Sequence, residues 1–379
     1  MRLMHLSDLH LGRSILEQSL IEDQKYILDR IIDIIKEKNV DAVLIAGDVY
    51  DKGIPSIEAV KLFNDFLNKL YKINLHVFII SGNHDSRDRL SFGNELFTLN
   101  DIYIEGKFNG VLRKVSLNDN YGYLNIYMLP FVKPADVRGY YADESIDSYD
   151  DMIKCIINNT DIDLNERNVI IVHQFVTASG VDVERSDSES ISLGGIDNVD
   201  ISNFSFFDYV AIGHIHRAQK LTKDTVRYAG SPLKYSFSEV NHKKSVPIVE
   251  FKEKGNVIID LVPLVPIRDM IVIKGSLDEL LSEEFYSKID VNSYVNAVIT
   301  DDDYVMDAIG KVRSVYKNVL KIEYDNKRNN VCEVNFKKEN LKKLSEIDLF
   351  RNFYYKQNNI ELSDEKLKIV NDIIDDCRK

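Results

Sequence analysis

Five short apolar runs in this chain each lead into residues able to hold a metal ion. RLMHLS leads into Asp8 and His10, VLIAG into Asp48 and Asp51, VFIISG into Asn83, His84 and Asp85, VIIV into His173, and YVAIG into His214 and His216. Carboxylate, imidazole and amide oxygen together suit Mn²⁺ or Fe²⁺ better than the all-oxygen shell that Mg²⁺ prefers. In an extended chain, the two-residue spacing of Asp8/His10 and His214/His216 points both side chains the same way. Gly47, Gly82 and Gly213 immediately precede Asp48, Asn83 and His214, where glycine permits a sharp turn and close backbone approach. A lone histidine is as readily a core or surface residue as a ligand. Five of the eight histidines fall in these clusters, each near a carboxylate, an amide or a further histidine, and coincidence explains that poorly. His5, His76 and His242 lie in strands or loops without such partners and read as ordinary structural residues.

The elements that must position these groups alternate. RLMHL, DAVLIAG and LHVFIISG read as strands. Leu16 to Lys38 and Ser56 to Tyr71 carry apolar residues at helical spacing, the second with Leu62, Phe63, Phe66, Leu67 and Leu70 as its stripe. Strands alternating with helices predict an α/β fold with covered sheet faces. Ligands in such sheets bind beyond the carboxyl ends of strands, so strands sharing a sheet bring all five clusters to one edge. YLNIYML, NVIIVH, DYVAIGH, SVPIVEF and NVIIDLV read as further strands. The last two are separated by KEKG, a hairpin signal, which favours a mixed sheet or two packed sheets over a purely parallel one.

Pro263 and Pro266 mark a boundary. The expected domains are residues 1–265, a small β-α-β-α-β unit at 266–335, and a segment at 336–379 with no strand signal. That last segment reads as one or two helices, with Leu341, Leu344, Ile347 and Phe350, then Leu367, Val370 and Ile374, as apolar faces. No stretch is long and apolar enough for a membrane span, and MRLMHLSDLH lacks the apolar region of a secretory signal. Cys155, Cys332 and Cys377 lie far apart without pairing or metal spacing, which fits a reduced, cytoplasmic setting. The net charge of −13 argues against a broad electrostatic grip on nucleic acid by this chain alone.

The ordered set DLH, GDVYD, GNHD, HQF and GHIH resembles the calcineurin-like metallophosphoesterases. Each motif alone is weak; all five in order are specific. DLHLG, GNHDSRDRL, GHIHRAQ and the later YAGSPLKYSFSE further resemble the SbcD-type, Mre-like double-strand-break nucleases. The match is strong over roughly residues 1–260, and beyond them it is one of layout only.

The resemblance implies a β-sandwich flanked by helices, with a small α/β cap and a helical C-terminal tail. It also implies two Mn²⁺, with Mg²⁺ or Fe²⁺ as alternatives. By motif, Asp8, His10 and His216 would hold one ion, Asn83, His173 and His214 the other, and Asp48 would bridge them. Two ions roughly 3.5–4 Å apart clamp a phosphodiester and acidify a water beside it. His84 would contact the scissile phosphate and donate a proton to the leaving oxygen. Asp85 would orient His84 or, alternatively, cap a turn. Asp51 supports a ligand or merely starts a helix. The implied activity is exonuclease and endonuclease cleavage of DNA in double-strand-break or hairpin processing. The implied partners are DNA, an SbcC-type coiled-coil ATPase and a second copy of the chain. Two rival readings remain, a phosphatase or cyclic-nucleotide phosphodiesterase on the same fold, and a non-catalytic interaction subunit. The residues appended after the core count against the first, and the full ligand set counts against the second. Arg13, Lys52, Arg87, Arg89 and Arg217 lie beside the motifs as candidate phosphate contacts.

Overall fold

The computed structural model describes residues 1–189, 197–303, 305–325, 345–358 and 361–377. The chain divides into two compact units, Met1–Asp269 and Met270–Lys379. The principal strands of the first are β1 (Arg2–Leu6), β2 (Ala42–Ala46), β3 (His76–Ile80), β4 (Ile102–Glu105), β5 (Arg113–Asp119) and β6 (Gly122–Leu129). They continue as β7 (Arg167–His173), β8 (Tyr209–Gly213), β9 (Gln219–Lys220), β10 (Val226–Tyr228), β11 (Ser245–Phe251) and β12 (Val257–Pro263).

Two six-stranded sheets result, in the orders β12-β11-β1-β2-β3-β4 and β9-β10-β8-β7-β6-β5. β1 to β4 run parallel, as do β6, β7, β8 and β10, so the carboxyl ends of the central strands share one direction within each sheet. The β11–β12 hairpin joins β1 antiparallel, and β5 joins β6 antiparallel. Both sheets are therefore mixed and they pack face to face. Leu44, Phe78, Ile126, Ile171 and Ala211, from strands of both sheets, belong to one fully buried core cluster.

Two long helices lie in the first two crossovers of the first sheet, and two short ones, Arg87–Leu90 and Asn94–Thr98, in the third. α1 (Ile21–Glu37) buries Ile27, Leu28, Ile31 and Ile35, and α2 (Ile57–Lys72) buries Phe63, Phe66, Leu67 and Leu70. β2 is consequently buried along its whole length, as a strand covered on both faces must be. Ser56 caps α2 by accepting a hydrogen bond from Ala59 N at 3.2 Å. α1 starts later than its periodicity suggests. Leu16 and Glu17 adopt φ values of 47° and 72° and close a small hairpin between Ser14–Ile15 and Gln18–Ser19. β4 (IYIE) and β5 (RKVSLND) are not among the strands read from the sequence: the first is only four residues long, and the second carries just Val115 and Leu117 among polar residues. On the second sheet, α3 (Tyr149–Asn158) buries Met152, Ile153, Ile156 and Ile157 in a second core that includes Ile170, Val172 and Ile212.

An ion cluster ties the sheets together at the amino ends of β1 and β7. The Met1 ammonium donates to Asp119 Oδ2 at 3.0 Å, and Arg167 donates to Asp119 Oδ1 at 2.6 Å and to the Lys252 carbonyl at 3.0 Å.

The second unit holds β13 (Met270–Gly275), β14 (Tyr294–Ile299) and β15 (Val319–Tyr324) in a parallel sheet in that order. α4 (Leu277–Leu280) and α5 (Glu283–Tyr286) follow β13, and α6 (Ala308–Arg313) follows β14. Leu280, Val295, Ala297, Val312 and Tyr316 form its core. The observed order is β-α-α-β-α-β, with two short helices where the sequence suggested one. α7 (Glu346–Asn358) and α8 (Asp364–Cys377) follow. Leu341 and Leu344 lie outside the described residues. No described side chain of these two helices is buried, and Phe353, Tyr355, Ile369 and Ile373 are at least half exposed. Among the described residues no helix is long and apolar enough to cross a membrane.

Candidate metal centre

The loops beyond β1, β2, β3, β7 and β8 converge. His10 Nε2 and His216 Nε2 lie 3.1 Å apart, although 206 residues separate them in sequence. Asn83 Oδ1 lies 3.0 Å from both His173 Nε2 and His214 Nδ1. Asp48 Oδ2 sits between the two groups, 3.4 Å from His173 Nε2 and 3.6 Å from His10 Nε2. Asp8, His10 and His216 offer donor atoms within 4.8 Å of one another, as do Asp8, Asp48 and His173. All seven residues expected as ligands are thus brought together.

The backbone device differs from the one inferred. β1 ends at Leu6 and β8 at Gly213, so neither Asp8/His10 nor His214/His216 is in extended chain. Instead Asp8, His10, Asp48 and His214 have φ values of 52°, 43°, 51° and 98°. Left-handed backbone at non-glycine residues costs about 1–3 kcal/mol each and collects at functional sites. The loops are locked by Asp8 N donating to the Gly47 carbonyl at 3.1 Å and His10 N to the Asp48 carbonyl at 3.0 Å. Gly82 and Gly213 are required by contact rather than by turn shape. A Cβ at Gly82 would strike the Asp48 carboxylate, and one at Gly213 the Ala46 carbonyl.

The electrostatics are those of a cation site. Asp8, His10, Asp48 and His173 are almost wholly buried. Burial pushes the Asp8 carboxyl up to about 7, with Asp48 adding to the rise against the pull of His173. Burial alone would raise Asp48 as well, but His173 holds it well below the usual carboxylate range. Burial pulls His173 down, but Asp48, Asp8 and the Ala46 carbonyl together lift it to about 9, whereas burial drops His214 and His216 to about 3. Two adjacent buried carboxylates among imidazole nitrogens, three of them held neutral by burial, form a donor set that fits two divalent cations once His173 gives up its proton to ligate.

His84 is half-buried, its ring 4.9 Å from that of His10, with Nδ1 3.0 Å from the Asp51 carbonyl. The expected link from Asp85 to His84 is absent. The Asp85 carboxylate accepts instead from the backbone N–H groups of Val49, Tyr50 and Gly82 at 3.1, 2.9 and 2.9 Å. It fastens the Asp48 loop to the Asn83 loop, and the Asp51 carbonyl does the orienting. The Asp51 side chain faces His10 Nδ1 at 3.5 Å and pairs with Arg13 at 3.0 Å. Three of the five basic candidates are engaged with acids: Arg13 with Asp51, Arg87 with Asp136 at 2.6 Å, and Arg217 with Glu184. Lys52 and Arg89 are exposed. His5 is a core residue bonded to Tyr209 Oη at 3.0 Å, and His76 faces Asp101 at 3.4 Å.

Sequence reasoning missed a buried polar network behind His216. Ser188 Oγ lies 2.7 Å from His216 Nδ1 and donates to Glu239 Oε1 at 2.5 Å. Lys244 donates to Glu239 Oε2, Ser231 Oγ and the His216 carbonyl at 2.6, 2.7 and 2.8 Å. Glu189 accepts from His216 N at 2.8 Å. The YSFSE segment that carries Glu239 is visible as a motif, but nothing local in it names its partner.

A family model described as calcineurin-like phosphoesterase matches residues 1–218, and one described as Type 5 capsule protein repressor C-terminal domain matches residues 266–358. The chain is 30% identical over 370 residues to the SbcD subunit of the SbcCD nuclease of Staphylococcus epidermidis, covering 96% of this chain and 95% of that protein. Among solved structures, a dimetal phosphatase from Danio rerio aligns with a TM-score of 0.41 and 10% identity, over 70% of this chain and 96% of that one. TT1561 of Thermus thermophilus aligns with a TM-score of 0.40 and 9% identity, over 69% and 98%. The sequence matches agree with the motif order and the assembled donor set: this chain belongs to the calcineurin-like phosphoesterase family, in its branch of SbcD-type nuclease subunits.

Proposed function

We propose that the chain is a two-metal DNA nuclease that uses Mn²⁺ and acts in the cytoplasm, as a homodimer, with an SbcC-type coiled-coil ATPase. The observation that carries this reading is the convergence of Asp8, His10, Asp48, Asn83, His173, His214 and His216 from five strand ends around two adjoining donor groups. Asp8, His10 and His216 would hold one ion and Asn83, His173 and His214 the other, with Asp48 placed to serve both. Paired cations at such a site stabilise the attacking and leaving oxygens of a phosphodiester. The chain's own residues do the rest: His84 donates a proton to the leaving oxygen, and Asp85 holds the loop that carries His84.

A cleft of about 330 Å³ beside Asn83 and His214 supports DNA as the substrate. Phe131, Tyr149 and Phe175 line it together with Lys133 and Arg87. Aromatic faces between cations suit stacked bases and their phosphates. The decisive assay incubates the purified chain with Mn²⁺, linear duplex DNA and, separately, a small phosphodiester. Cleavage of DNA is expected to be the faster; a chain that turns over only the small ester would instead be a phosphodiesterase of another class.

The exposed apolar residues of α7 and α8 support a docking role. An amphipathic helix must bury its stripe somewhere, and these helices leave Phe353, Tyr355, Ile369 and Ile373 largely open. The base of the ATPase coiled coil is the proposed receptor, as a helix-in-groove contact. Deleting residues 337–379 is expected to spare folding and metal binding, to leave some Mn²⁺-dependent cleavage of DNA ends, and to abolish co-purification with the ATPase. A truncated chain that keeps full affinity for the partner would refute the docking role.

A further inference from the structure

The two proposed metal subsites are built from unequal materials. One is backed by charge. His216 Nε2 faces the donor cluster, so Nδ1 carries the proton and donates it to Ser188 Oγ at 2.7 Å, and Ser188 in turn donates to the Glu239 carboxylate at 2.5 Å. Glu239 is fully buried. Lys244 holds its other oxygen at 2.6 Å and directs its two remaining protons to Ser231 Oγ and the His216 carbonyl. The second imidazole of this subsite, His10, has the Asp51 carboxylate 3.5 Å from its Nδ1. The other subsite is backed by a neutral dipole, since His173 Nδ1 lies 2.7 Å from the Ala46 carbonyl. The oxygen donors differ in the same sense. Asp8 brings a full charge where Asn83 brings an amide, and Asp48 lies between the two.

A carboxylate behind a ligating imidazole fixes its tautomer and raises its basicity, and losing such a partner typically costs 10–100-fold in metal affinity. Both differences favour the same subsite. We infer that the Asp8/His10/His216 subsite binds the first and tighter ion, and that Glu239, which reaches His216 Nδ1 through Ser188 and directly at 3.4 Å, is the positioning residue that widens the difference. This rests on the ligand assignment proposed above.

The test is a Mn²⁺ titration of the metal-free full chain, followed by calorimetry and by electron paramagnetic resonance of the free ion. The parent is expected to bind two ions with affinities at least about tenfold apart. The tight ion should persist in Asn83→Ala and vanish in His216→Ala. Glu239→Gln and Ser188→Ala should each weaken the tight ion by roughly 10–100-fold and leave the weak one unchanged. A general structural defect would move both. If Glu239→Gln fails to fold, Ser188→Ala decides, because it removes the 2.7 Å partner of His216 Nδ1 while Glu239 stays paired with Lys244 and 3.4 Å from that nitrogen. Equal affinities in the parent, or a tight ion untouched by both substitutions, would overturn the inference while leaving a two-ion site in place. A parent chain that binds fewer than two ions would overturn the ligand assignment itself, and the inference with it.

Discussion

Asp48→Ala is expected to abolish tight Mn²⁺ binding at both subsites at once. The carboxylate lies within 3.6 Å of an imidazole nitrogen from each group, and its other oxygen accepts from His84 N at 2.9 Å. Losing a supporting residue costs 10–100-fold in metal affinity, and removing a shared ligand should exceed that for both ions. Stability should fall as well. Without metal, Asp48 adds to the rise of Asp8 to about 7, but it also pairs with His173 at 3.4 Å and accepts from His84 N. Removing it relieves the repulsion yet leaves buried His173 and His84 N without that partner, which costs more. The metal-free variant should therefore melt below the metal-free parent. Mn²⁺ at a hundred times its Kd adds about 2.7 kcal/mol to a protein that binds it only when folded. The parent should gain that increment and the variant should not. Asp48→Asn separates charge from geometry, because its amide oxygen still accepts from His84 N. Elemental analysis finding two ions per chain in Asp48→Ala would exclude the bridging role.

His84→Ser is expected to lose most turnover while keeping both metal ions and DNA. The ring is half-buried, 4.9 Å from the ring of His10 beside the donor cluster, and its Nδ1 lies 3.0 Å from the Asp51 carbonyl, which fixes its orientation. General acid catalysis contributes roughly 10²–10⁴-fold. Because the interaction is made in the transition state, kcat and kcat/KM should fall together. Two measurements check this, single-turnover cleavage of duplex DNA and a Mn²⁺ titration of the same preparation. Near-parental turnover would exclude His84 as the acid. Loss of an ion would make it a ligand instead.

The sequence by itself determined the inventory. Asp8, His10, Asp48, Asn83, His173, His214 and His216 stood out because each follows an apolar run, and such runs form buried strands almost regardless of context. The alternation of strand and helix also followed, since parallel strands need crossovers and the helical periodicities supplied them. Tertiary structure decided which atoms face which. Asp85 could orient His84 or cap a turn on the sequence alone; in the fold its three backbone bonds made it a loop clamp, and an adjacent carbonyl took the other task. The spacing of Asp8 and His10 suggested extended chain, but left-handed backbone aims them instead. That strain depends on hydrogen bonds to the Gly47 and Asp48 carbonyls, which come from a different strand end. The Ser188–Glu239–Lys244 network was the least legible part, because Ser188 and Glu239 are 51 residues apart and neither lies on a periodic element. Periodicity reports which face of an element avoids water. It carries no information about which buried carboxylate will meet which imidazole, because only the packing of distant loops brings those two groups within reach.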